Sequence, residues 1–291
     1  MNMVLPFTLE FDRFCLELGP KTCIMGILNA TPDSFSDGGK FNSFKTAVEQ
    51  GLKLVKDGAH ILDIGGESSR PFAAPVSEQE ELDRVIPVIE TLSRRIDVPI
   101  SIDTVKSAVA KAALNAGAAM INDISAFEKD PAMADLAAQK SVPVVIMHMK
   151  GTPETMQVNP DYDDLMHEIT TYLASRAAYA RKKGIKKEHI IVDPGIGFGK
   201  SVEHNLVLIN HLEKITALGY PVLLGPSRKS FIQNILTRKE RTPIGADHIK
   251  TEYGTLAAVA ASILRGAHIV RVHDVERVRS FTRIIDSIRN A

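Results

Sequence analysis

The chain has 291 residues, 44% of them apolar, which is enough for one large core and is a length a (β/α)8 barrel commonly fills as a single unit. Lys plus Arg equals Asp plus Glu at 35 each, so no global field draws the protein to nucleic acid or to an anionic membrane. Any anion it binds must be held by a local cluster. The two cysteines, Cys15 and Cys23, lack CxxC spacing, which argues against a zinc site or disulfide framework and reads as two buried thiols in a reducing compartment.

The opening stretch, MNMVLPFTLEF, has no charged n-region, long apolar h-region or small-residue cleavage site. No run approaches the roughly 18 apolar residues of a membrane span, so a soluble, cytoplasmic protein is expected. Residues 5–20 predict a small hairpin capping the N-terminal end of a barrel. Eight apolar runs then predict strands at 22–28, 60–65, 98–103, 118–123, 142–148, 189–194, 220–225 and 267–273. Amphipathic segments at 78–95, 105–116, 161–183 and 201–218 lie between them and predict helices. Strands alternating with helices imply parallel pairing, and eight units favour a closed α/β barrel over an open sheet. Without a composition shift or linker, residues 1–291 are expected to form one (β/α)8 domain. The longer loops, 29–43, 65–77 and 148–160, all follow strands, which is the catalytic face of this architecture.

Polar residues gather at those strand ends. Asp63, Asp103, Asn122, Asp123, His148, Asp193, Arg271 and His273 each stand at or just past an apolar run, where a polar side chain must be solvated, paired or used. Each alone also reads as a cap for the following turn; the repetition at one register favours a site. Asp63 reads as a brace for the barrel rim and His148 as a satisfied buried histidine, while His204, His211 and His248 look like surface residues. PGIGFGKS (194–201) fails the P-loop pattern because Pro194 occupies the first glycine position, but its glycines allow close backbone approach to a flat ligand. LNATPDSFSDGG (28–39) resembles a calcium loop until Phe35 and Phe44 take ligand positions, leaving a mobile flap as the better reading. In GPSRKS (225–230), Ser227, Arg228 and Lys229 open a helix, and RVHDV (271–275) sets Arg271 and His273 on one side of a strand. Together they predict a cationic patch at the last two strands.

These motifs match a family. MGILNATPDSFSDGG (25–39), DIGGESSRP (63–71), SIDT (101–104), IND (121–123), MHMKGTPETMQ (147–157), DPGIGFGK (193–200), GPSRKSF (225–231) and RVHDV (271–275) resemble the dihydropteroate synthases, in the same order and at similar spacing. The resemblance implies joining 4-aminobenzoate to the carbon that bears the diphosphate of 6-hydroxymethyl-7,8-dihydropterin, releasing diphosphate. It implies a pterin pocket of Asp103, Asn122, Asp193, Lys229 and Arg271, with Asp103, Asp193, Lys229 and Arg271 as its catalytic groups. Diphosphate would meet Asn29, Arg70, Arg271 and His273, and Asn29 would contact Mg2+. The 4-aminobenzoate would lie near Ser69, Arg70, Pro71, Phe198 and Ser227. The family more often carries Thr at the position of Ser69; the hydroxyl is kept and only a methyl is lost.

The chemistry suits these side chains. A carboxylate can accept bidentately from the amino group and ring N–H of a pterin edge, Asn122 can donate and accept, and Lys229 can donate to a ring carbonyl and nitrogen. Loss of diphosphate from an electron-rich dihydropterin leaves a delocalised cation, so an SN1-like step is expected, with Asp103 and Asp193 stabilising it. A neutral arylamine needs no strong base. Two rivals remain at this stage: a pterin-dependent methyltransferase serving a corrinoid protein, and a non-catalytic pterin-binding barrel. Apolar faces at 255–264 and 274–289 suit either a homodimer, as the family implies, or barrel packing.

Overall fold

The computed structural model, which describes residues 4–31, 39–68, 75–152, 156, 160–238 and 242–291, opens with the expected hairpin. Strands β1 (Phe7–Phe11) and β2 (Phe14–Leu18) pair antiparallel from Phe7↔Leu18 to Phe11↔Phe14. Alternation decides its two faces. Leu9, Phe11 and Leu18 turn inward and pack on Cys23, Met25, Ile61, Met120, Val145, Ile191, Leu223 and Ile269, the side chains filling the N-terminal end of the barrel. Two histidines pin the hairpin there, His189 Nε2 lying 2.9 Å from the Glu10 carbonyl and His268 Nε2 3.0 Å from that of Leu5. Cys15 stands on the outer face and is exposed, so the expectation of two buried thiols holds for Cys23 alone. A five-residue antiparallel strand buries only alternate side chains, and Cys15 falls on the solvent parity.

Eight parallel strands follow: β3 (Cys23–Asn29), β4 (Ile61–Gly65), β5 (Ile100–Asp103), β6 (Met120–Asp123), β7 (Val144–Met147), β8 (Ile190–Asp193), β9 (Leu223–Leu224) and β10 (Ile269–Val272). They run in the order β8-β7-β6-β5-β4-β3-β10-β9. A parallel bridge between Val192 and Val222, with Val192 N–H donating to the Pro221 carbonyl at 2.9 Å, brings the two ends together. The helices are α1 (Gly39–Asp57), α2 (Glu78–Ser93), α3 (Ser107–Asn115), α4 (Ala132–Lys140), α5 (Leu165–Lys182), α6 (Val202–Asn210), α7 (Glu213–Thr216), α8 (Ser230–Thr237), α9 (Ile249–Leu264) and α10 (Val275–Arg289). Outward strand residues such as Ile24, Leu28, Leu62, Ile64 and Ile102 bury against them in one continuous core.

Several boundaries differ from the sequence reading, α5 starting at Leu165 rather than 161 and β9 shortening to Leu223–Leu224. Helix α1 begins at Gly39, so the loop expected over 29–43 stops five residues earlier than its polar composition suggested. The segment 201–218 breaks into α6 and α7 at His211, where φ and ψ of −114° and 31° leave the helical region. His204 and His248, read as surface residues, cap helices: His204 completes a capping box with Ser201, and His248 Nδ1 accepts from Lys250 N–H at 3.1 Å.

Candidate active site

The strand-end polar residues divide into those that serve turns and those that face one another. Asp123 serves a turn. Its carboxylate accepts from Ser125 N–H, Ser125 Oγ–H and Phe127 N–H at 2.7–2.8 Å, holding Ala126 and Phe127 at positive φ of 48° and 71°. Asp103 and Asn122 toward the ends of β5 and β6, Arg271 in β10 and Asp63 at the middle of β4 form a connected set. Arg271 Nε donates to Asp63 Oδ2 and Arg271 NH2 to Asp103 Oδ2, each at 2.6 Å. Asn122 Nδ2 donates to the same Asp63 oxygen at 3.1 Å. Asp63 has no solvent exposure, and its Oδ1 has no hydrogen-bond partner among the described residues. The sequence reading made Asp63 a rim brace; the geometry makes it the acceptor that aims Arg271 and Asn122. Burial pushes Asp103 up to about 7 against the pull of Arg271.

Asp193 ends β8. Its Oδ1 accepts Gly195 N–H at 2.7 Å, and burial pushes its pKa up to about 6, while that N–H and the nearby Lys229, Lys200 and Arg271 charges pull it down. Lys229 caps α8 with its backbone and turns its side chain inward, where burial and then Arg271 lower its pKa to about 8 despite Asp193 and Asp103. Its Nζ lies 3.8 Å from the centroid of the Phe198 ring. The glycines between Asp193 and Lys200 make this approach possible. Gly195 has φ of 72°, and a Cβ there would collide with the His148 carbonyl oxygen; a Cβ on Gly197, φ 82°, would come within 2.8 Å of Lys229 Cδ. Phe198 is buried beside Met147 and Met156, with Ile124 and Met149 packed against them.

The basic turn after β9 proves half as cationic as expected. Arg228 points away from the barrel mouth, its Nε donating to Glu252 at 2.5 Å and its NH1 to Asp247 at 2.8 Å, with a positive φ of 57°. The acids that claim it lie about twenty residues downstream, beyond local pattern reading. Ser227, expected at the aminobenzoate, is buried with Oγ 3.0 Å from His273 Nδ1, which ties the two halves of the predicted patch together. Asn29 ends β3 half-buried, in register with Gly65. Ser69, Arg70 and Pro71, and the flap at 32–38, lie outside the described residues. What precedes Ser69 is anchored: Lys106 Nζ bridges Glu67 and the fully buried Glu81 at 2.6 Å each, and Arg84 donates to the Gly66 carbonyl at 2.7 Å. Sequence reasoning passed over this network, and over Lys200. A lysine closing a glycine-rich loop was the available signal for the latter.

Among the described residues no group of three or more His, Cys, Asp or Glu side chains could hold a metal ion. Asn29 offers a neutral carboxamide at the end of β3, which fits an ion that keeps water and takes most of its remaining ligands from a substrate phosphate.

Residues 25–273 match the family model described as pterin binding enzyme. The chain is 46% identical over 286 residues to the dihydropteroate synthase of Synechocystis sp., covering 97% of this chain and 96% of that protein. It is similar to the crystal structure of Xanthomonas albilineans dihydropteroate synthase with 4-aminobenzoic acid, with a TM-score of 0.89 and 41% identity over 99% of this chain and 100% of that one. A structure of dihydropteroate synthase from Xanthomonas albilineans in complex with 7,8-dihydropteroate matches with a TM-score of 0.86 at 40% identity, covering 98% of this chain and 99% of that one.

Proposed function

The chain belongs to the dihydropteroate synthase family of pterin-binding enzymes, and from that membership we propose how its own residues carry the reaction. It is a transferase that joins 4-aminobenzoate to 6-hydroxymethyl-7,8-dihydropterin diphosphate, giving 7,8-dihydropteroate and diphosphate. The observation that carries the assignment of roles is the convergence at the strand ends of the Arg271–Asp103 ion pair at 2.6 Å, the buried Asp193, and Lys229 with its Nζ over the Phe198 ring. The Asp193 carboxylate accepts from the amino group and ring N–H of the pterin, Asn122 reads the mixed edge, and Lys229 donates to the ring carbonyl.

As the carbon–oxygen bond breaks, diphosphate takes the electron pair and the dihydropterin becomes a delocalised cation. Two carboxylates, the half-buried Asp103 and the buried Asp193, lower the energy of that charge where little water competes. Arg271 then has two roles: Asp63 holds its Nε, and its outer nitrogens face Asp103 before the substrate arrives and the diphosphate with His273 afterwards. Asn29 would hold Mg2+, which supplies charge neutralisation on the departing diphosphate when bound. Arg70 would add a further positive charge on the same side. The arylamine nitrogen attacks from the side of Phe198, Ser227 and the segment bearing Ser69, Arg70 and Pro71, and the resulting ammonium loses its proton to solvent. No step requires a strong base.

A cytoplasmic setting is supported by two free cysteines, one of them exposed. No helix among the described residues is long and apolar enough to cross a membrane. A homodimer is supported by exposed apolar side chains on packed helices, Leu206 and Val207 on α6 and Tyr253 and Leu264 on α9. The variants Asp193→Asn and Lys229→Ala test the pocket: each should lower kcat/KM at least about a hundredfold, the scale of one lost electrostatic stabiliser. Turnover within a few-fold of wild type would refute these roles.

A further inference from the structure

Lys200 is a fully buried lysine with only 2% of its surface exposed, closing the glycine loop behind Phe198. Its Nζ donates to the Phe198 carbonyl at 2.9 Å and to the His148 carbonyl at 3.4 Å, and lies 3.0 Å from His148 Nδ1. These three acceptors are all uncharged. Burial lowers the Lys200 pKa to about 7 against the pull of Asp193, so near neutral pH the amine is only partly charged. Burying that polar head is still unfavourable, and a methionine of similar length would fill the same space without the penalty, so the amine supplies something that packing alone would not.

What it supplies is a tie between two loops. His148 follows β7 and Phe198 follows β8, and Lys200 holds both main chains through one atom. The rest of the glycine loop is fixed separately, Gly197 N–H donating to Asn205 Oδ1 and Tyr162 Oη–H to the Gly199 carbonyl, each at 2.7 Å. Phe198 itself has Lys200 on its carbonyl and, through its N–H, Gly195 at 3.1 Å. Its ring faces Lys229 Nζ. His148 suits the acceptor role because burial and the Lys200 charge hold its pKa down at about 3, so the ring is neutral at any working pH, and with its proton on Nε2 the Nδ1 atom accepts from Lys200.

We propose that Lys200 is a positioning residue for the second substrate, latching the β7 and β8 loops so that the Phe198 ring forms a fixed wall for a flat aromatic amine. The inference rests on the placement of 4-aminobenzoate beside Phe198 given above. Lys200 touches neither substrate. Its loss therefore acts on recognition of the arylamine and leaves the pterin pocket in place.

Steady-state kinetics with both substrates, paired with calorimetric titration of the pterin, separate these effects. In Lys200→Met the KM for 4-aminobenzoate should rise about tenfold or more, with pterin affinity and kcat at saturating arylamine within about threefold of wild type. His148→Leu should reproduce the rise, and His148→Asn, whose Oδ1 occupies the place of Nδ1, should restore KM to within about threefold. An unchanged KM in Lys200→Met would overturn the proposal. So would a parallel loss of pterin affinity, kcat and KM in Lys200→Met and both His148 variants alike, since that pattern marks general packing. A wild-type protein that binds pterin but forms no product would instead overturn the functional reading and this assignment with it.

Discussion

Asp193 is buried and Lys229 half-buried, and the loss of water moves them toward each other: the acid up to about 6 and the amine down to about 8. The reaction needs the acid ionised to accept from the pterin and the amine protonated to donate to the ring carbonyl. The kcat/KM for the pterin substrate should therefore be bell-shaped, falling below about 7 as Asp103 and then Asp193 take up protons, and again above about 8 as Lys229 loses its own. A profile flat from 5 to 9 would contradict it. Stability runs the other way for the acid. Its folded pKa lies above the unfolded value of about 3.9, so ionising it costs stability above about 6, and that cost is relieved as pH falls toward 4. The apo protein should thus gain from Asp193 on mild acidification while pterin affinity is lost. At this scale the sequence was legible where a residue's placement follows from its register, as with Asp103, Asn122 and Asp193 toward the ends of their strands. It was not legible for Arg228 or Asp63, whose roles depend on partners at Glu252 and Arg271, far along the chain.

Elements carry two of the arguments. The hairpin of β1 and β2 plugs the barrel end remote from the site, with Leu9 and Leu18 having no solvent exposure. Leu9→Ala should cost about 2–5 kcal/mol of unfolding free energy, the range for a buried leucine, read by chemical denaturation. Activity per folded molecule should stay unchanged, because the pocket lies at the opposite end. A matching loss of kcat would show that the two ends are coupled. The loop after β8 is the opposite case, a segment whose glycines let its backbone run against His148 and Lys229. Most strand positions were readable because parallel strands buried on both faces leave continuous Ile- and Val-rich runs. Helix ends were less so: α1 starts inside a stretch whose Gly, Lys and Ser content reads as loop, and the break at His211 leaves no composition signal.

At the scale of the whole molecule, equal numbers of acidic and basic residues leave the local strand-end cluster as the source of binding selectivity. The exposed Leu206, Val207, Tyr253 and Leu264 on α6 and α9 should be covered in a homodimer. Sedimentation at micromolar concentration should give about twice the 31.8 kDa chain mass, and a charged substitution such as Leu264→Glu should shift the equilibrium to monomer. A wild-type monomer at that concentration would refute the assembly. The central claim is the condensation itself, and it is tested most directly by following diphosphate release and 7,8-dihydropteroate formation from the pterin diphosphate, with and without 4-aminobenzoate and Mg2+. Product and diphosphate should appear in equal amounts, only when both substrates are present, and faster with Mg2+. Pterin binding without product at saturating 4-aminobenzoate and Mg2+ would contradict the account.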